Sequence, residues 1–136
     1  MEPADTLAAR LTDFLSSLNT FERSLQLDMT KYKGVELDTV KNGQIQKFEY
    51  CIELCWKIIK VFLNTVHGVD AVSPKSTIKE FYRVGLVNEE EYELLNEMLD
   101  DRNRLSHIYN EAFFEDIYFK LNAYLVVMKK VSVRMR

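Results

Sequence analysis

The chain has little glycine and proline, and few cysteines and histidines. Its 136 residues include Gly 4, Pro 2, Cys 2 and His 2. So few glycines and prolines exclude a fold built on many tight turns and favour long, uninterrupted helices. Cys51 and Cys55 have no further Cys or His ligands at zinc-binding spacing, so we expect inert, buried thiols and no metal site.

Long apolar runs and a basic N-terminal region are also missing. No stretch of about 18 apolar residues occurs, which argues against a membrane span. The first five residues, Met1-Glu2-Pro3-Ala4-Asp5, are acidic, which argues against a signal peptide. We therefore expect a cytoplasmic protein. The net charge of -3 disfavours coating of nucleic acid by bulk electrostatics, although it allows a small basic site.

What the chain does have is an ordinary globular composition with helical periodicity. It is 47% hydrophobic and 29% charged, and its length fits a single domain over residues 1–136. Apolar residues at spacings of three and four predict a first helix with the stripe Leu7, Leu11, Phe14, Leu18, Phe21 and Leu25. After a loop at 31–34, the pattern resumes from about Asp38 and predicts a second helix ending near His67-Gly68. Its two apolar faces contain Ile45, Phe48, Cys51, Ile52, Leu54, Cys55, Trp56, Ile58, Ile59, Phe62 and Val66.

Capping signals define the remaining helices. Ser73-Pro74 and Gly85 predict a short helix over 74–84. Asn88, followed by a Glu three residues on, predicts a helix that begins near 89. A last apolar stripe predicts a helix from about 114 to the basic end of the chain. The sequence thus predicts an all-α, up-and-down antiparallel bundle of four long helices plus one short helix.

The apolar stripe of the fourth helix becomes polar in its second half. In a constant register the stripe contains Tyr92, Leu95, Leu99, Arg102, Ser106 and Tyr109. Asn103 and His107, four residues apart, line the adjacent strip. An unpaired arginine is expensive to bury, so a polar stripe that faces a neighbouring helix needs a reason.

Two explanations are compatible with these residues. In the first, the bundle opens at this end, where Arg102 pairs with Glu97, Asp100 or Asp101 and His107 stabilises the helix C-terminus. In the second, the residues form a ribonucleolytic site without a metal or cofactor. His107 would then move a proton at a ribose hydroxyl or leaving oxygen, and Arg102 would hold the phosphate. Asn103 and Ser106 would add hydrogen bonds, and a homodimer would place two copies of His107 in one cleft.

The same residues resemble a known family. Arg102, His107 and Tyr109 have the spacing of the R-x4-H-x-Y pattern of HEPN proteins, with four residues between the arginine and the histidine and one between the histidine and the tyrosine. In these proteins an asparagine commonly follows the arginine. The resemblance extends to Gln46-Lys47-Phe48-Glu49-Tyr50 and Glu53-Leu54-Cys55-Trp56-Lys57 in the second helix, and it covers about residues 7–133. The chain is most similar to the subgroup described as nucleotidyltransferase substrate-binding proteins, or HepT-like toxins.

This resemblance implies a helical, homodimeric, metal-independent RNase toxin with catalytic Arg102 and His107, supported by Asn103. Arg104 departs from the residues usual at its position in the family, and it and Ser106 are candidates for contact with the RNA substrate. It also implies neutralisation by a partner minimal nucleotidyltransferase, the antitoxin, which transfers AMP to Tyr109. AMP would add a phosphate anion beside Arg102 and fill the RNA site. The alternative is a non-catalytic substrate-binding subunit of a nucleotidyltransferase complex that uses the same face for docking.

Overall fold

The structure is a computed structural model that describes residues 3–107 and 110–136; for residues 3–5 and 107 it describes the backbone only. The described residues form five α-helices, with a single 3-10 turn at Met29–Lys31 between the first two. The helices are α1 (Pro3–Leu25), α2 (Gly34–His67), α3 (Pro74–Arg83), α4 (Glu89–His107) and α5 (Glu111–Arg134). None of the helices in these ranges combines the length and apolarity that crossing a bilayer requires.

The helix ends follow from local capping. Ser73 accepts a hydrogen bond from the Ser76 backbone N–H, and the Ser76 hydroxyl accepts one from the Ser73 N–H, which starts α3. Asn88 and Glu91 exchange equivalent bonds of 2.8 and 2.9 Å at the start of α4. Gly68, with φ +65°, ends α2 in the left-handed conformation that favours glycine. The start of α4 and the end of α2 confirm the sequence predictions.

Two predicted helix starts were late by about one turn. We expected the second helix from about Asp38, but α2 begins at Gly34. Its first turn has no apolar face to mark it, since Val35 is 82% exposed. We expected the fifth helix from about 114, but α5 begins at Glu111, because the Asn110 side chain caps it by accepting from the Phe113 N–H.

Contacts between helices establish an up-and-down bundle. The Gln44 side chain donates a hydrogen bond to the Ser24 carbonyl, and the Cys51 thiol donates one to the Ser17 carbonyl. A later residue of α2 thus contacts an earlier residue of α1, so the two helices run antiparallel. The pairs Glu91–Arg134 and Glu97–Lys120 show the same for α4 and α5. The predicted all-α bundle is confirmed, with four long helices and the short α3.

The long helix α2 lies at the centre of the bundle and contacts the other four helices. Phe48 stacks on Tyr124 of α5, with ring centroids 5.3 Å apart. Both predicted apolar faces of α2 enter the core: Phe48, Cys51 and Ile58 are fully buried, whereas Leu54 and Trp56 are partly exposed. Burial raises the pKa of the Cys51 thiol to about 11, which suits the predicted inert role.

Candidate functional site

The candidate site lies where the polar half of α4 meets α2. Arg102 Nη2 lies 2.9 Å from Glu53 Oε1, and both side chains are about one-third exposed. The other carboxylate oxygen, Glu53 Oε2, accepts a hydrogen bond of 3.4 Å from Trp56 Nε1 and lies 3.7 Å from Lys57 Nζ. Glu53 therefore orients the arginine from the neighbouring helix, and Trp56 and Lys57 in turn orient Glu53.

This pairing corrects one sequence interpretation. The partners expected for Arg102 in a frayed helix end were Glu97, Asp100 and Asp101, but these carboxylates contact other cations. Asp100 pairs with Lys75 at 2.8 Å, and Glu97 and Asp101 each lie 3.1 Å from Lys120 Nζ. Residues one or two apart on a helix do not face each other, so Asp100 and Asp101 are directed away from the guanidinium.

One atom of Arg102 is left without a partner. Its Nε is buried and, among the described residues, has no hydrogen-bond acceptor. A buried, unsatisfied donor of this kind costs roughly 1–3 kcal/mol unless an acceptor arrives.

A small cavity of about 140 Å³ adjoins the guanidinium. Arg102, Asn103 and Leu99 of α4 line one side, and Glu53 and Trp56 of α2 line the other. The start of α3 closes it with Ser73, Pro74 and Lys75. Arg102 and Asn103, both predicted site residues, thus share one cavity with a second cation, Lys75.

Glu49, one turn before Glu53 on α2, also interacts electrostatically with Arg102. Burial raises the pKa of the Glu49 carboxyl, and the charge of Arg102 opposes that shift. Arg102 therefore lies in the field of two α2 carboxylates, of which only Glu53 forms a salt bridge with it.

The other predicted site residues are placed less centrally. Ser106 is exposed and donates a 3.3 Å bond to the Arg102 carbonyl. Arg104 is directed toward α5, where it pairs with Asp101 and stacks 3.3 Å above the Phe113 ring. The structure therefore does not bring Arg104 to the cavity. His107 ends α4, but its side chain lies outside the described residues, as does all of Tyr109.

Sequence reasoning did not identify Glu53 as the partner of Arg102, or Lys75 as a residue of the cavity. Glu53 had a detectable signal, because it begins the segment Glu53-Leu54-Cys55-Trp56-Lys57 that resembles the family. Lys75 had none, because only packing of α3 against α4 brings it near. In the described ranges, no three His, Cys, Asp or Glu side chains are grouped so as to hold a metal ion.

Comparison with known proteins places the chain in a family. No curated protein sequence matches the chain. A crystal structure of a protein from Thermus thermophilus is similar, with a TM-score of 0.80 and 31% identity, over 90% of this chain and 98% of that one. The family described as nucleotidyltransferase substrate binding protein like matches residues 9–136. The chain therefore belongs to the family of nucleotidyltransferase substrate-binding-like proteins.

Proposed function

We propose that this protein is a metal-independent RNase toxin whose partner nucleotidyltransferase neutralises it by transferring AMP to Tyr109. The observation that carries the proposal is the state of Arg102. Its guanidinium is oriented by Glu53, adjoins a cavity, and keeps a buried Nε without an acceptor among the described residues. An RNA phosphate that enters the cavity is an acceptor for this partly exposed guanidinium, through charge-assisted hydrogen bonds.

The proposed reaction is an internal transesterification of RNA. A ribose O2′ attacks the adjacent phosphorus, the O2′–P bond forms, and the P–O5′ bond breaks. The proton of the 2′-hydroxyl ends on the departing O5′, and His107 transfers it, as a group with a pKa near neutrality can. Arg102 stabilises the charge that develops on the phosphorane, and Asn103 adds a hydrogen bond. In a homodimer, two copies of His107 supply the acid and the base.

The proposed control also acts on Arg102. The Tyr109 phenol attacks the α-phosphorus of ATP on the partner enzyme, the phenolic proton is lost, and pyrophosphate leaves. The tyrosine, seven residues after Arg102 in the sequence, then carries a phosphodiester anion and a nucleoside. That anion neutralises the guanidinium and competes with RNA for it.

The two histidines provide a matched test of the RNase activity. Purified protein is incubated with total RNA in EDTA, beside His107→Ala and His67→Ala. His67 is exposed at the C-terminal end of α2 and serves as the control. We expect cleavage by the wild type and by His67→Ala, with a loss of at least about 100-fold in His107→Ala. Equal cleavage by all three proteins, or none by any, would overturn the RNase proposal.

The control mechanism has its own test. The chain is co-expressed with its nucleotidyltransferase, and mass spectrometry measures adenylyl groups on the wild type and on Tyr109→Phe. We expect modified, inactive wild-type protein and unmodified Tyr109→Phe. A stable complex with unmodified Tyr109 and no RNA cleavage would instead identify a non-catalytic substrate-binding subunit.

A further inference from the structure

A second concave surface, the α1–α2 groove, lies beside the Arg102 cavity. Its volume is about 630 Å³, within the range of ligand-binding clefts. Arg10 of α1 and Trp56, Lys57, Lys60 and Asn64 of α2 line it, together with Thr6, Val61, Thr65 and Asp70. The α2 residues recur at spacings of three and four, so they follow one face of the helix.

The α1–α2 groove is basic in a protein that is acidic overall. Three cations, Arg10, Lys57 and Lys60, line it against one carboxylate, Asp70, whereas the whole chain has a net charge of -3. Lys57 is 3.7 Å from Glu53, within salt-bridge range. Within the described ranges, Arg10 and Lys60 form no salt bridge, so two cations are available to an anionic ligand.

Trp56 connects this groove to the Arg102 cavity. It lines both surfaces and is partly exposed, and its Nε1 is directed to Glu53. A partly exposed aromatic ring between two cationic surfaces is the arrangement that proteins use to stack a base while flanking phosphates are neutralised.

We infer that the α1–α2 groove binds single-stranded RNA, as an extension of the Arg102 site. A strand whose phosphate contacts Arg102 continues past Trp56, on which a base stacks, and its next phosphates contact Lys60 and Arg10. This inference rests on the proposed function, because it takes the strand to be the substrate of that site. A protein partner fits the groove less well, since Trp56 and Val61 are its only large apolar lining residues among those described.

Intrinsic fluorescence reports on the site directly, because Trp56 is the only tryptophan in the chain. Wild-type protein is titrated with a short 2′-O-methyl oligouridine, which lacks the 2′-hydroxyl nucleophile and cannot be cleaved by transesterification. We expect saturable quenching of the tryptophan emission. Binding without any change in this emission would overturn the inference.

Charge reversal tests the cations with a matched control. The double variant Arg10→Glu/Lys60→Glu removes the two free cations, and Lys31→Glu/Lys33→Glu makes the same charge change at the connection between α1 and α2. Binding of a fluorescein-labelled 2′-O-methyl oligouridine is followed by anisotropy between about 50 and 200 mM salt. We expect affinity roughly tenfold lower for the groove variant than for the control, and a salt slope lower by about 1.4 for two lost phosphate contacts.

The outcomes separate this inference from the proposed function. If the groove variant and the control bind the oligonucleotide equally while only His107→Ala loses cleavage, the inference is wrong and the RNase proposal stands. If wild-type protein cleaves no RNA but shows quenching and a groove-specific loss of affinity, the RNase proposal fails and the groove is an RNA-binding site. Loss of nucleotidyltransferase binding with unchanged oligonucleotide affinity would make the groove a protein-docking surface and overturn the inference.

Discussion

Adjacent residues of α4 have different partners. Arg102 pairs with Glu53 of α2, whereas Asp101, only 1% exposed, faces α5. Asp101 accepts hydrogen bonds from the Tyr124 hydroxyl and from Lys120, and it pairs with Arg104. Burial, together with the hydrogen bond and charge of Asp101, raises the pKa of Tyr124. The rotation of about 100° between successive residues of a helix explains the division.

Asp100 and Asp101 are expected to contribute very differently to the stability of the fold. Asp101→Ala leaves the buried Tyr124 hydroxyl without its acceptor and removes one of the carboxylates that pair with Lys120, so we expect the free energy of unfolding to fall by about 3 kcal/mol. Asp100→Ala breaks a well-exposed salt bridge with Lys75 and is expected to cost less than about 1 kcal/mol. Urea denaturation measures both. Similar losses in the two variants would contradict a special role for Asp101.

Glycines within and at the end of α2 have opposite energetic effects. Gly43 is inside the helix, and a Cβ there would meet no atom within 4 Å. Gly68 ends the helix with φ +65°, a backbone conformation that residues with a Cβ rarely adopt. Helix propensity therefore opposes glycine at the first position, whereas backbone geometry favours it at the second.

We expect Gly43→Ala to raise the free energy of unfolding by about 0.5–1 kcal/mol, since alanine loses less backbone entropy in a helix. Gly68→Ala is expected to lower it by about 1 kcal/mol because the left-handed C-terminal cap becomes strained. Each variant is the control for the other in thermal and urea unfolding. A gain in stability for Gly68→Ala would show that this cap does not determine the end of α2.

In the whole molecule, one ion pair connects the last turn of α5 to the first turn of α4. Arg134 lies 2.6 and 2.8 Å from the two carboxylate oxygens of Glu91, and it also donates to the Leu86 carbonyl. The hydrogen bond from Arg134 lowers the pKa of Glu91 below its ordinary value of 4.5. The Glu91–Arg134 pair therefore stabilises the bundle fully at a pH above 4.5. Its contribution is lost as the pH falls through the lower pKa of Glu91 in the folded protein.

The prediction compares Glu91→Gln with Glu90→Gln, its exposed neighbour. Glutamine keeps the capping geometry at 91 but loses the charge, so we expect about 1–2 kcal/mol lower stability at pH 7. The difference from wild type should shrink as the pH falls from about 4.5 through the lower folded pKa, because Glu91 then becomes protonated first in the unfolded chain and finally in the folded protein. Urea midpoints across this range measure it. A deficit that is independent of pH, or equal in Glu90→Gln, would contradict the ion-pair explanation.

The candidate site was partly predictable from the sequence. The register of α4 placed Arg102 on a stripe that faces a neighbour, and the structure brings Arg102 and Asn103 to one cavity. The register could not show that Arg104 is directed to Phe113 of α5. The roles of His107 and Tyr109 stay predictions, because the structure does not describe the side chains on which they depend.

The sequence by itself determined the elements: five helices, most of their ends, and the polar half of α4. These features depend on local hydrogen bonding, capping and the period of 3.6 residues, all of which involve residues a few positions apart. Only the tertiary structure decided that Glu53 pairs with Arg102, that Asp101 is buried against α5, and that Trp56 joins the cavity to the α1–α2 groove. These contacts depend on how whole helices rotate and pack against one another, which local spacing does not encode.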